Sequence, residues 1–225
     1  MKAVILAAGK GTRMGDLSST IPKPMLRILN KTLIEHKVEI LPKIIDEIIL
    51  VVGHLKEMII GTLGQEILGR KISYVVQDEL RGTAHSLLLC KDLLIDEGKF
   101  LVLMGDDIYS GKDVTRCIEN PWSILISEMP TVKGKAEVYI NKDGSIDKIQ
   151  EKSTNDKKGF VCAGMYCVGP EIFSYPLVPV SPTEYGLPQT IISASKRFPA
   201  KPIITKEWIQ ITSPDDLVLA EKIIL

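Results

Sequence analysis

The chain has 225 residues, 45% hydrophobic and 25% charged, with 28 basic side chains balanced by 28 acidic ones. That length buries a full core as one domain, and zero net charge lacks the basic surplus of a nucleic-acid binder. No apolar run reaches the roughly 18 residues that a membrane span needs, so neither nucleic acid nor membrane is expected as a partner.

Lys2 to Ala7 is a short apolar run before Gly9 and predicts a buried strand. A helix follows over 32–41, stopped by Pro42, then a strand at 47–52 that ends at Gly53. A helix at 56–63, a strand at 71–76, a helix at 84–94 and a strand at 100–104 come next. Near-continuous Val/Ile/Leu strands alternating with helices predict an α/β fold, a three-layer α/β/α Rossmann-like arrangement on a mostly parallel central sheet. Ligands of such sheets lie beyond the carboxyl ends of the strands. Three polar or glycine-rich segments, 8–15, 77–83 and 105–107, follow strand ends here and so point to one site.

The second half is richer in β-structure. Strands are predicted at 123–129, 136–141, 146–151 and 160–168, with a tight turn at Lys142-Asp143-Gly144-Ser145. Helices are expected near 184–196 and 215–224. No linker or repeat interrupts the chain, so residues 1–225 read as a single domain, its halves meeting near residue 110. Cysteines 90, 117, 162 and 167 lack zinc-knuckle spacing, and histidines 36, 54 and 85 do not cluster with them. They read as thiols of a cytoplasmic protein.

The segment Leu6-Ala7-Ala8-Gly9-Lys10-Gly11-Thr12-Arg13-Met14 follows the first strand. Its glycines let backbone N–H groups approach a phosphate, and Arg13 offers a fork of donors to phosphate oxygens. It fits neither common phosphate loop, since Met14 stands where a dinucleotide fingerprint needs a third glycine. A glycine pair after a strand is also an ordinary turn. Pro22-Lys23-Pro24-Met25 brackets a lysine with two prolines that stiffen its backbone. An exposed loop lysine is the plain alternative.

Together, these two segments resemble the opening LAAGxGTRM and PKPM of the sugar-phosphate nucleotidyltransferase family, without a mismatch. The resemblance extends over nearly the whole chain. Gln77 with Arg81-Gly82-Thr83-Ala84 is similar to the family's base-recognition segment, and Gly105-Asp106-Asp107 to its metal-binding step. Lys133-Gly134, Glu151-Lys152 and Ala163-Gly164-Met165-Tyr166 resemble sugar-side elements. The resemblance implies that an NTP and a sugar 1-phosphate condense to an NDP-sugar and pyrophosphate. Arg13, Lys23 and Asp106 would be catalytic. Leu6, Ala7, Ala8, Gly9, Gly11, Gln77, Gly82 and Thr83 would bind nucleotide, and Gly134, Glu151, Lys152 and Gly164 the sugar phosphate. Mg²⁺ would sit on Asp106 and Gln210. The first half would then hold nucleotide and the second sugar phosphate. A homo-oligomer is left open.

The chain departs from the pattern on the acceptor side. Gln210 stands where the family carries a second metal-binding Asp, Cys162 where a sugar-contacting Asn is common, and Ser153 where Glu-Lys is followed by Pro. These changes keep two alternatives open: a relative with a non-sugar acceptor such as phosphocholine, or a non-catalytic nucleotide-sugar sensor. Retention of Arg13, Lys23 and Asp106 argues against a pure sensor. The stretch Gln77 to His85 resembles uridylyltransferases more than thymidylyltransferases, which implies UTP. No β-helix follows Leu225, so acetyl transfer is not expected.

Overall fold

The computed structural model describes residues 1–15 and 20–224, with Arg13 described in its backbone alone. Strand β1 (Lys2–Ala7) is followed by the short ribbon β2 (Arg27–Ile28) and β3 (Lys31–Thr32), then by α1 (Leu33–Glu39) and β4 (Glu47–Val52). Next come α2 (Lys56–Leu63), β5 (Glu66–Ile67), β6 (Arg70–Val76), α3 (Thr83–Leu88), α4 (Lys91–Leu94), β7 (Phe100–Met104), β8 (Asp107–Ile108) and α5 (Gly111–Ile118). The second half contributes β9 (Ser123–Met129), β10 (Glu137–Ile140), β11 (Ile146–Gln150), β12 (Gly159–Val168), α6 (Leu187–Ser193), β13 (Lys201–Thr205), β14 (Ile209–Gln210) and α7 (Pro214–Ile224).

Ten strands form one sheet. Its centre runs β7-β1-β4-β6 with every pairing parallel. The long strand β12 lies antiparallel against β7 through Met165–Val168 and against β10 through Phe160 and Val161, and pairs with β9 along both stretches, so it joins the two halves. Alternate residues of β1 face opposite cores. Val4 and Leu6 pack with Ala84 and Leu87 of α3, Leu94 of α4 and Leu187 and Ile191 of α6. Ala3, Ile5 and Ala7 pack with Ile34 and Val38 of α1, Ile59 of α2 and Val114 and Cys117 of α5. Period-two strands buried on both faces produce the three layers.

Two segments differ from the predicted elements because local chemistry overrides periodicity. The helix expected over 84–94 is two pieces, α3 and α4, interrupted at Leu89 and Cys90. The helix expected from 184 begins at Leu187, because Tyr185 bridges Pro179 and Gly186 serves as N-cap before Pro188 in the first turn. In contrast, α1 starts where its capping box dictates: Thr32 accepts from Glu35 N at 3.1 Å, and Glu35 accepts from Thr32 N at 2.6 Å. Helix α5 and strand β13 have no counterpart among the predicted elements. No helix among the described residues is long and apolar enough to cross a membrane, and all four cysteines are free thiols.

Candidate active site

The loops that leave the carboxyl ends of β1, β6 and β7 open onto a single pocket of about 320 Å³. It is lined by Leu6 and Ala7 at the end of β1, by Ala8, Gly9 and Gly11 from the loop that follows and by Lys23 from the turn Lys23–Met25. Gln77, Gly82 and Thr83 form another wall, and Asp106 the floor. Close approach of β1 and β7 requires Gly105: its N–H donates to Leu6 O at 2.8 Å, and a Cβ there would lie 2.6 Å from that oxygen. Asp106 is thereby pinned beside the glycine loop. The side chain of Arg13 lies outside the described residues.

Lys23 and Asp106 form the central polar pair. Lys23 Nζ donates to Asp106 Oδ2 at 2.6 Å, with Lys23 buried and Asp106 partly open to the pocket. Pro22 and Pro24 stiffen the backbone on either side, and burial with the bond to Asp106 holds the long side chain itself. Asp107 points the other way. Its carboxylate is buried, receives the Tyr109 hydroxyl at 3.3 Å through Oδ2 and leaves Oδ1 without a described partner. Burial pushes the Asp107 carboxyl well above the usual carboxylate range, and the charge of Asp106 adds to this. Lys37 pulls it down, as does the nearby indole N–H of Trp208, which falls short of hydrogen-bonding geometry.

Lys37 is the residue that sequence reasoning missed. It sits fully buried in α1, bonded to Leu33 O at 3.1 Å, and burial pushes its ammonium far below the usual lysine value while Asp107 and Asp106 hold it up. Its signal was present: Leu33, Ile34, Lys37, Val38 and Leu41 form an apolar helical stripe in which one position is lysine.

Gln77 is less free than its expected base-reading role suggests. The amide Oε1 accepts from Ser86 Oγ at 2.6 Å, and Nε2 donates to Gly82 O at 3.4 Å. The side chain thus fastens the Gly82–Ser86 turn while still lining the pocket. Thr83 fastens it further by accepting from Leu187 N at 2.9 Å. His85 lies against Gln77 and is held below its ordinary value, first by burial and then by Arg81.

The acceptor-side residues Gly134, Glu151, Lys152 and Gly164 do not line this pocket. Glu151 accepts from Gln189 Nε2 at 3.0 Å, Gly134 N donates to Ser153 O at 2.7 Å, and Gly164 O accepts from the Tyr109 hydroxyl at 2.8 Å. Cys162 Sγ lies 3.2 Å from the Tyr166 hydroxyl. Gln210 pairs with Asp107 across the β14–β8 ladder, and Ile211 N donates to Asp106 O at 3.3 Å. Gln210 therefore flanks the acidic step through its backbone.

No group of three or more His, Cys, Asp or Glu side chains converges as a metal cage among the described residues. One partly accessible carboxylate, Asp106, fits Mg²⁺, which keeps waters and phosphate oxygens as its remaining ligands. It does not fit a closed structural site.

The nucleotidyl transferase family profile matches residues 2–192. The bifunctional protein GlmU of Methanococcus aeolicus is 32% identical over 231 residues, covering 100% of this chain and 54% of that protein. GlmU of Methanocaldococcus jannaschii is 32% identical over 173 residues, covering 77% of this chain and 41% of its own. This chain thus spans about half the length of these relatives or less. The UTP–glucose-1-phosphate uridylyltransferase AglF of Haloferax volcanii is 34% identical over 181 residues, covering 77% of this chain and 74% of that protein. A solved putative glucose-1-phosphate thymidylyltransferase from Bacillus anthracis, in complex with a sucrose, superposes with a TM-score of 0.87 at 24% identity and shares the fold over 99% of this chain and 94% of its own. With a family match over most of its length and a shared fold, the chain belongs to the nucleotidyl transferase family.

Proposed function

We propose that the protein transfers a nucleotidyl group from an NTP, with UTP the preferred donor, to a sugar 1-phosphate. The observation that carries this reading is the Lys23–Asp106 ion pair lining the glycine-loop pocket, with Lys23 buried and Asp106 partly open. An oxygen of the sugar phosphate attacks the α-phosphorus, the α–β bridging bond breaks, and pyrophosphate leaves with that electron pair. The attacking oxygen is already anionic, so no general base is required. What lowers the barrier is positive charge held between two repelling anions. Backbone N–H groups of the Gly9–Gly11 loop and Arg13 hold the triphosphate, and Lys23 meets the reacting phosphates. Asp106, with the Gln210 amide, would hold Mg²⁺, which supplies charge neutralisation on the phosphate oxygens.

Glu151 accepts from sugar hydroxyls and Lys152 meets the sugar phosphate. The donor assignment is supported by the likeness to AglF, which is named as a UTP–glucose-1-phosphate uridylyltransferase. Free thiols at all four cysteines fit a reducing cytoplasm. The test is pyrophosphate release with four NTPs against a panel of sugar 1-phosphates and phosphocholine, with and without a chelator. Turnover should require UTP, a sugar 1-phosphate and Mg²⁺, and should disappear in Lys23→Ala and Asp106→Ala. Tight nucleotide binding without turnover on any acceptor would overturn the proposal.

A further inference from the structure

The two loops that carry Gly134 and Lys152 are joined at one buried carboxylate. Glu137, the first residue of β10, is 4% exposed. Its Oε2 accepts from Ser153 Oγ at 2.5 Å, Asn155 Nδ2 at 2.6 Å and the Tyr139 hydroxyl at 2.9 Å. The loops are also laced by backbone: Gly134 N donates to Ser153 O at 2.7 Å, and Ser153 N donates to Lys135 O at 3.0 Å. On the other flank, Gln189 of α6 donates Nε2 to Glu151 Oε1 at 3.0 Å and to Ile149 O at 3.3 Å. The step Glu151–Lys152 is therefore gripped from both sides. Between the grips, Lys152 adopts φ 49, a left-handed conformation that a side-chain-bearing residue keeps only when its surroundings over-determine it.

The charge at Glu137 has no packing rationale of its own. A buried strand position is ordinarily apolar, and a carboxylate there is disfavoured unless its oxygens are bonded. Burial pushes the Glu137 carboxyl up, but the bonds from Ser153, Asn155 and Tyr139 outweigh it and hold the group below its ordinary range. Ser153 is also where this chain departs from the family's Glu-Lys-Pro. Both of its donors, the hydroxyl and the backbone N–H, are used in the knot, and a proline would supply neither.

We propose that Glu137 is a positioning residue for the acceptor: through Ser153 and Asn155 it fixes the 151–155 turn so that Glu151 and Lys152 face a sugar phosphate. This rests on the sugar 1-phosphate reaction proposed above. Neither loop lines the pocket around Gly9, Lys23 and Gln77, so the effect belongs to the acceptor and not to the nucleotide.

Steady-state pyrophosphate release by the full chain, with UTP and either glucose 1-phosphate or N-acetylglucosamine 1-phosphate, tests it. Glu137→Ala should raise the KM for the sugar phosphate about tenfold, the loss of roughly one charge-assisted hydrogen bond, with the KM for UTP moving less than about twofold. The isosteric Glu137→Gln should fold normally and give an intermediate value, and Ser153→Ala should shift the same parameter by less. Amide hydrogen exchange should quicken at 151–155 in Glu137→Ala and stay unchanged at 82–88. A parallel rise in both KM values, or a folded Glu137→Gln with both at wild-type level, overturns the proposal. Should the wild-type chain turn over no acceptor at all, the functional reading falls, and with it the acceptor role. The exchange comparison, which needs no substrate, then reads the knot separately, and unchanged exchange at 151–155 removes its loop-holding part too.

Discussion

Gly82 is the backbone joint between the pocket and the second half of the chain, and its replacement can be reasoned through in magnitude. It sits at φ 86, ψ 177 ahead of α3, a region essentially reserved for glycine. A Cβ there would lie 2.5 Å from Tyr185 O and 2.7 Å from Tyr185 N. Those atoms cannot recede, because Tyr185 N donates to Arg81 O at 2.9 Å and Ala84 N donates to Tyr185 O at 3.1 Å. Gly82→Ala therefore combines backbone strain of about 1–3 kcal/mol with overpacking of about 1–3 kcal/mol, for a loss of about 4 kcal/mol. At this chain length that lowers Tm by about 8–16 °C. Gly69 is the control: φ +76 with nothing within 4 Å of a Cβ. Gly69→Ala should cost only the left-handed penalty, about 1–2 kcal/mol. Urea and thermal melts of the two variants read the difference. Equal losses, or a Gly82→Ala loss below about 1 kcal/mol, would refute the argument that the Tyr185 backbone is the obstacle.

Two further outcomes follow from ionisable groups that are buried or partly buried. Burial pushes the Cys90 and Cys117 thiols to about 12 and those of Cys162 and Cys167 to about 11, so thiolate is scarce at pH 8. An aromatic disulfide reagent should modify no cysteine quickly in native protein and all four once urea unfolds it; a fast native phase would contradict the packing. In the acid range, Glu35, Glu137 and Asp216 are held below their ordinary values of 4.5, 4.5 and 3.8, since hydrogen bonds outweigh the upward push of burial. Depressed carboxylates contribute stability that is present above the unfolded value and lost as pH falls through the folded one. The urea midpoint should therefore fall as pH drops below about 4.5, and Glu35→Gln should flatten that slope; an unchanged slope would count against the Thr32–Glu35 capping box as its source.

Much of the first half was legible because its constraints are local. Val/Ile/Leu runs that end at Gly9, Gly53 and Gly105 marked β1, β4 and β7, and the ends of β1 and β7 open onto the pocket. Helix α5 was not legible: of its eight residues only Val114 and Cys117 bury apolar side chains, and its surest signal is the Ser110 cap on Asp113 N. Strand β13 opens with Lys201-Pro202, which reads as a loop, yet a proline is tolerated on a strand paired only with β9 at the sheet edge. Within the site, Lys23 and Asp106 were found by motif. The Ser86 bond to Gln77 and the burial of Asp107 depend on how α3 and β14 dock, and no short pattern encodes that.

The two sides of the site are built by different means, which accounts for where the sequence is readable. The glycine-loop pocket is shaped by backbone: glycines and prolines at fixed offsets produce a loop, a pinned lysine and a strand end, and each leaves a compact signature. The loops around Glu137 and Glu151 are held by side chains from distant segments. Ser153 meets Glu137 across 16 residues, Asn155 meets it across 18, and Gln189 reaches Glu151 across 38. Such a knot can be rebuilt with different partners without disturbing the phosphate loop. Ser153 lies in this knot, Cys162 on β12 and Gln210 beside the acidic step, and none of the three lines the glycine-loop pocket.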